Sequence, residues 1–197
     1  LGRARDTASL TLEKMGRKAE VCPWLREFEA PIYKPDSPKP GCTWDWLPQD
    51  WTVEPRYYDP DRWTEPEVMQ AGDVAGQADW VASHLDAVLA AHGYERDGNL
   101  YRAVRPNTDT LAFFCHFGVE CVMLGHLLHV SPMVLWHGMC AAPSSVTILN
   151  TEERRKGIAS FRMSAFGDTS HLYAGGREPS FAARFCETWE NMDQRHD

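Results

Sequence analysis

The sequence predicts an α/β domain in three layers, an α/β/α sandwich with helices on both faces of a mostly parallel central sheet. Three observations point that way. Residues 73–92 carry a long amphipathic pattern, Thr110 to Cys115 is a short continuous apolar run of the sort a strand buried on both faces shows, and a second apolar helix pattern, Val119 to Leu128, follows at once. Helix, buried strand, helix and further strands in alternation are the mark of that layering.

Each element has its own local signal. Ala4, Ala8, Leu12 and Met15 recur every three or four residues, which predicts a helix over Arg3–Met15 that Gly16 ends. From Pro31 to Pro66 the chain holds most of its prolines together with Trp44, Trp46, Trp51, Tyr57, Tyr58 and Trp63. A flexible linker would not carry so many large aromatics, so this stretch is expected to be an ordered insertion packed over the body of a single domain spanning residues 1–197. Asp73 is placed to cap a helix with apolar positions Val74, Trp80, Val81, Leu85, Val88 and Leu89, ended by Gly93. Asp97-Gly98 between short polar–apolar alternations predicts a hairpin, and Ser131-Pro132 the start of a short helix. Ser145–Asn150 and Ile158–Met163 read as the strands of a second hairpin, and the polar tail from Gly175 as loose.

With 197 residues, 43% of them hydrophobic, the chain can bury a sizeable core. The formal charge is −8 and the basic residues are scattered, which speaks against nucleic acid as a partner. No apolar run reaches the ~18 residues that span a bilayer, so no membrane association is expected. Six widely spaced cysteines without a Cys-x-x-Cys pair fit a reduced, cytoplasmic protein. The chain starts at Leu1, with a helix pattern that no strand or cap precedes, and only one of its strands reads as doubly buried. Both features lead to the expectation that the sequence begins inside the natural chain.

The junction after Cys115 is the first place to look for chemistry, because open α/β sheets bind ligands where a strand ends and a helix N-terminus offers free amides. His116 stands there, able to hold or pass a proton near neutral pH. Arg3, Arg5 and Glu27 are of the types that clamp phosphate and donate protons, although each alone reads more readily as a solvated surface charge than as a functional group. His126 and His129 lie three apart on one helix, but no second ligand pair has metal spacing, so no metal is expected. There is no Walker loop, dinucleotide turn or Gly-x-Ser-x-Gly elbow, and no cofactor is expected.

Several segments, in order, resemble the histidine phosphatase superfamily, which includes the phosphoglycerate mutases. Leu1-Gly-Arg-Ala-Arg-Asp-Thr-Ala8 resembles its Ser-Pro-Leu-x-Arg-Ala-x-x-Thr-Ala less two residues, and Trp24-Leu-Arg-Glu-Phe28 its Leu-x-Glu segment. Phe113 to Val119 is similar to its second histidine motif, with Phe117 where that motif has its first glycine. Ser144–Thr147 and Gly167–Leu172 resemble its late strand and its Asn-Asp-Thr-x-His-Leu ending. The resemblance implies a phosphoglycerate mutase-like fold and a metal-independent phosphomonoester hydrolase acting through a phosphohistidine on a small phosphorylated metabolite. It implies Glu27 and His116 as catalytic groups, with Arg3, His116 and Phe117 holding the phosphate; the nucleophilic histidine lies outside the given sequence. Trp44, Trp46 and His137 are candidate pocket residues. A mutase-like phosphotransferase and a non-catalytic binding module are the alternatives, and a homodimer is left open.

Overall fold

Helix α1 (Gly2–Met15) forms where the alanine spacing places it, burying Ala4 and Ala8, and Gly16 ends it at φ 61°, in the left-handed region that only glycine enters freely. The computed structural model describes residues 2–180 and 185–194; Leu1 of the opening motif, and 181–184 and 195–197 of the tail expected to be loose, lie outside the described residues. A 3-10 turn over Pro23–Leu25 buries Trp24 and Leu25.

The aromatic stretch carries little regular structure: an isolated bridge pairs Ile32 with Gly41, and α2 (Pro48–Trp51) and a 3-10 turn (Pro55–Tyr58) follow. Several of its large side chains turn inward. Trp46, Tyr57 and Trp63 are buried, and the buried Thr43 hydroxyl donates to Ala30 O at 2.5 Å. After α3 (Glu67–Ala71), α4 (Val74–Ala91) buries Val74, Val81, Leu85 and Leu89 on one face. Asp73 stands before it in the left-handed region, at φ 52°, and makes no capping bond.

The hairpin expected at Asp97-Gly98 is present as β1 (Tyr94–Asp97) and β2 (Leu100–Ala103), with Asp97 opposite Leu100 across the Gly98-Asn99 turn. Next come α5 (Phe117–Leu128), which is buried nearly all round, and α6 (Pro132–Gly138). Ser131 holds α6 in place: its hydroxyl donates to Tyr57 O at 2.5 Å and accepts from Met133 N at 3.3 Å. β3 (Val146–Arg155) and β4 (Ile158–Asp168) form the second hairpin, and α7 (Ser170–Ala174) follows.

The expected three-layer sandwich with a mostly parallel central sheet is overturned. Among the described residues the sheet has four strands in the order β1-β2-β4-β3, all antiparallel. Its β1–β2 and β3–β4 neighbours are hairpins, which short turns can close, whereas parallel pairs need long crossovers. Thr110–Cys115, read as the buried strand, runs into α5 without regular secondary structure and pairs with no strand among the described residues. An apolar run is compatible with a strand, but only a ladder partner makes it one.

The chain separates into two compact units. The first, Leu1–Gly138 with Thr151–Phe161, has its core between α4, α5, α6 and the β1–β2 hairpin, around Leu85, Tyr101, Val119 and Met133. The second is Met139–Asn150 with Arg162–Asp197. Within it Asn150 donates to Ser164 Oγ at 2.8 Å, and the Asp168 carboxylate accepts from Ser170 N at the start of α7. The Ser170 bonds hold Asp168 below its ordinary pKa.

Candidate functional site

The N-terminus of α5 is where separate parts of the first unit meet. His116, the residue before the helix, is extended (φ −137°, ψ 162°), so the chain enters the helix with the first-turn amides turned outward. Glu27, just after the Pro23–Leu25 turn, reaches this end: its Oε1 accepts from its neighbour Phe28 N at 2.8 Å and from Val119 N at 3.1 Å. A carboxylate there satisfies a helix amide and lies at the positive end of the helix dipole.

Trp44, from the aromatic stretch, closes the other side. A methyl group built on Gly118 would lie 2.6 Å from Glu27 Oε1 and 2.6 Å from Trp44 Nε1, so both groups crowd the bare Cα of that glycine. The Trp44 ring also packs edge-on against Phe117, with centroids 6.2 Å apart. Behind the helix, Trp136 of α6 donates its indole N–H to Gly118 O at 2.9 Å and fixes this first turn.

Two polar atoms here are buried without a partner: Trp44 Nε1 and His116 Nε2. Native interiors rarely leave such atoms unpaired, because each forfeits about 1–3 kcal/mol of lost hydration. Burial holds the His116 imidazole below the ordinary histidine pKa; Glu27 pulls it upward, and the Arg3 guanidinium on the first turn of α1 pushes it down. Arg3 therefore acts electrostatically at the same place, exposed and in no ion pair among the described residues. Burial also pushes the Cys115 thiol up to about 12, which keeps it protonated and a poor nucleophile.

Glu27, Trp44 and Phe117 thus meet at the first turn of α5 beside His116, and Arg3 reaches the place only through its charge. Trp46 and His137 are employed differently. The Trp46 amide donates to His137 Nε2 at 3.0 Å, His137 Nδ1 pairs with Met133 O at 2.6 Å, and Trp51 stacks on the ring at 4.8 Å. Trp46 spends its own indole N–H on Thr43 O at 2.7 Å. With both imidazole nitrogens occupied, His137 is a staple between the aromatic stretch and α6. The sequence offered no sign that Gly118 must stay bare, since that depends on Glu27 and Trp44 arriving from far along the chain.

Burial lowers the pKa of His137 as well as His116, so the folded chain takes up these protons less readily than the unfolded one. Their contribution is complete above the ordinary histidine pKa of about 6.5 and declines as pH falls through that value toward the depressed folded pKa. The urea midpoint is therefore expected to be lower at about pH 5.5 than at about pH 7.5, with a shallower dependence in His137→Gln. An equal slope in both proteins would show that His137 is not responsible.

Among the described residues no group of His, Cys, Asp and Glu could hold a metal ion, and no helix is long and apolar enough to cross a membrane. Comparison with protein-family models, with the curated proteins and with the solved structures finds no match to this chain.

Proposed function

We propose that the α5 N-terminus seats the phosphate of a small phosphomonoester, and that the protein is a phosphohydrolase of the histidine phosphatase type. The reading rests on the site and not on the fold. The observation that carries it is the pair of unpartnered buried atoms, Trp44 Nε1 and His116 Nε2, beside a helix N-terminus and within the field of Arg3. Phosphate supplies acceptor oxygens for both and negative charge for the helix and the guanidinium.

Each residue then has a task. Arg3 and the Nε2–H of His116 hold the equatorial oxygens, whose charge must be carried as the phosphoryl group moves. Trp44 donates one hydrogen bond and, with Phe117, keeps water from one side. Glu27 has Oε1 engaged with two amides, and its carboxyl group is the one placed to exchange a proton with the leaving oxygen. The nucleophilic histidine that this chemistry requires, in an Arg-His-Gly triplet, does not occur in the 197 residues; they supply the phosphate seat and the proton. A second reading is a binding module that seats phosphate without cleaving its ester. A cytoplasmic setting and a small soluble phosphate ester suit either reading, and the scattered cysteines suit a reducing compartment.

Orthophosphate titrated into the 15N-labelled protein is expected to shift the Trp44 indole N–H and the His116 ring signals saturably, and Arg3→Ala is expected to weaken binding about tenfold. Phosphate release from para-nitrophenyl phosphate without added metal, lost in Glu27→Gln, separates the enzyme from the binding module. If orthophosphate at millimolar concentration moves neither signal, both readings fall.

A further inference from the structure

His137 holds the aromatic stretch against α6 in a way that only one form of its ring allows. The Met133 carbonyl can only accept, so Nδ1 carries the proton of the 2.6 Å bond, and the Trp46 amide can only donate, so Nε2 offers its lone pair across 3.0 Å. The neutral ring protonated at Nδ1 satisfies both. A second proton, on Nε2, would point an N–H at the N–H of Trp46 and turn that bond into a repulsive contact.

What the Trp46 amide anchors is a braced turn. Thr43, at its start, is fixed by its hydroxyl bond to Ala30 O, and the Trp46 indole N–H closes back on Thr43 O at 2.7 Å. Lys34 Nζ donates to the carbonyls of both Trp44 and Asp45, at 3.2 and 2.5 Å, and the Cys42 thiol donates to Trp44 O at 3.1 Å. Asp45 stands at φ 65°, in the left-handed region that side chains seldom adopt, so the turn depends on these bonds to keep its shape. Trp44, whose indole crowds Gly118, therefore sits inside a turn that moves as a unit, two residues before the amide that His137 holds.

We propose that His137 is a proton switch on the α5 seat: a proton on Nε2 releases the Trp46 amide, and the turn carries the Trp44 indole N–H away from Gly118, so that acid weakens anion binding there. This regulation rests on the reading of the α5 N-terminus as a phosphate seat. Burial opposes the second proton on His137, as does the Lys34 ammonium, while the Met133 carbonyl and the Asp45 carboxylate favour it. His116 works in the other direction, because a proton there adds positive charge for the anion to meet. Linkage makes the switch reciprocal: the bound anion makes His137 harder to protonate by the same factor, opposite in sign to what the anion's charge alone would do.

The test titrates sulfate, a dianion at every pH used, into the 15N-labelled full chain at about pH 7.5 and about pH 5, on either side of the ordinary histidine pKa. His137→Gln keeps an acceptor and a donor but takes no proton. Between the two conditions the parent is expected to lose about tenfold in affinity relative to His137→Gln. In the sulfate-free parent the Trp46 amide and Trp44 indole signals are expected to move with the His137 ring titration, and sulfate is expected to displace that titration to lower pH. The switch is overturned if parent and His137→Gln share one pH dependence, if the Trp44 signal ignores the His137 titration, or if sulfate displaces that titration upward. A parent that binds neither sulfate nor orthophosphate at about pH 7.5 overturns the phosphate seat instead; the Trp44 signal of the sulfate-free protein then still decides whether His137 moves the turn.

Discussion

Replacing Gly118 with alanine is expected to abolish the orthophosphate response of the α5 site and to destabilise the chain by about 1–3 kcal/mol, as overpacking does. In an open helix the same change would gain up to ~1 kcal/mol from backbone entropy. Here the added methyl lies 2.6 Å from both Glu27 Oε1 and Trp44 Nε1, closer than carbon can approach either, so one or both must move. Moving Glu27 breaks its bond to Val119 N, and moving Trp44 disturbs the buried indole N–H that the phosphate reading uses. Gly138→Ala is the control, because a methyl there meets nothing within 4 Å. Urea denaturation with the 15N titration reads both effects. If Gly118→Ala keeps both stability and phosphate response, the crowding at this turn is not a constraint.

A larger effect on stability is expected from Trp136→Ala, about 3–5 kcal/mol, much of the ~5–15 kcal/mol that holds a domain together. Trp136 is 5% exposed, packs against Phe28 at 5.7 Å and against Trp63 at 5.5 Å, and donates its N–H to Gly118 O. It ties the segment after the Pro23–Leu25 turn, the aromatic stretch and α5 together, so its loss opens a cavity between three parts of the chain. Trp136→Phe keeps most of the volume and loses the hydrogen bond. It is expected to cost nearer 1 kcal/mol for that bond, while shifting the Gly118 amide in the NMR spectrum. Similar costs for both variants would show that packing is not the main term.

What the sequence made legible was local. The helix over Val74–Ala91, the turn at Gly98-Asn99 and the α1 stop at Gly16 each follow from neighbouring residues, and each lies within a residue or two of its expected place. Both hairpins were legible too, but the way they join into one sheet was not, and the apolar run Thr110–Cys115 says that a segment is hydrophobic but not what it pairs with. The same limit applies to the sites. His126 reads as one polar residue among leucines until Asp86, 40 residues earlier, is seen to hold it. Trp44 and Trp46 are alike in sequence, yet one indole N–H is spent on Thr43 O and the other is left unpartnered. The acid and the histidine of the α5 site were picked out by residue type and motif order; that the acid meets Trp44 at Gly118 follows only from the folded chain.

The bond between Glu27 and the Val119 amide spans 92 positions of sequence. Contacts that far apart must wait for a long loop to close, whereas α4 and the β1–β2 hairpin form from neighbours. On refolding, the helical signal should therefore recover before the α5 site does, and a ribosome-bound chain that has not yet released residue 119 has no such site. Phosphate would act as a late-stage ligand, stabilising only chains that have already brought their first thirty residues back onto α5.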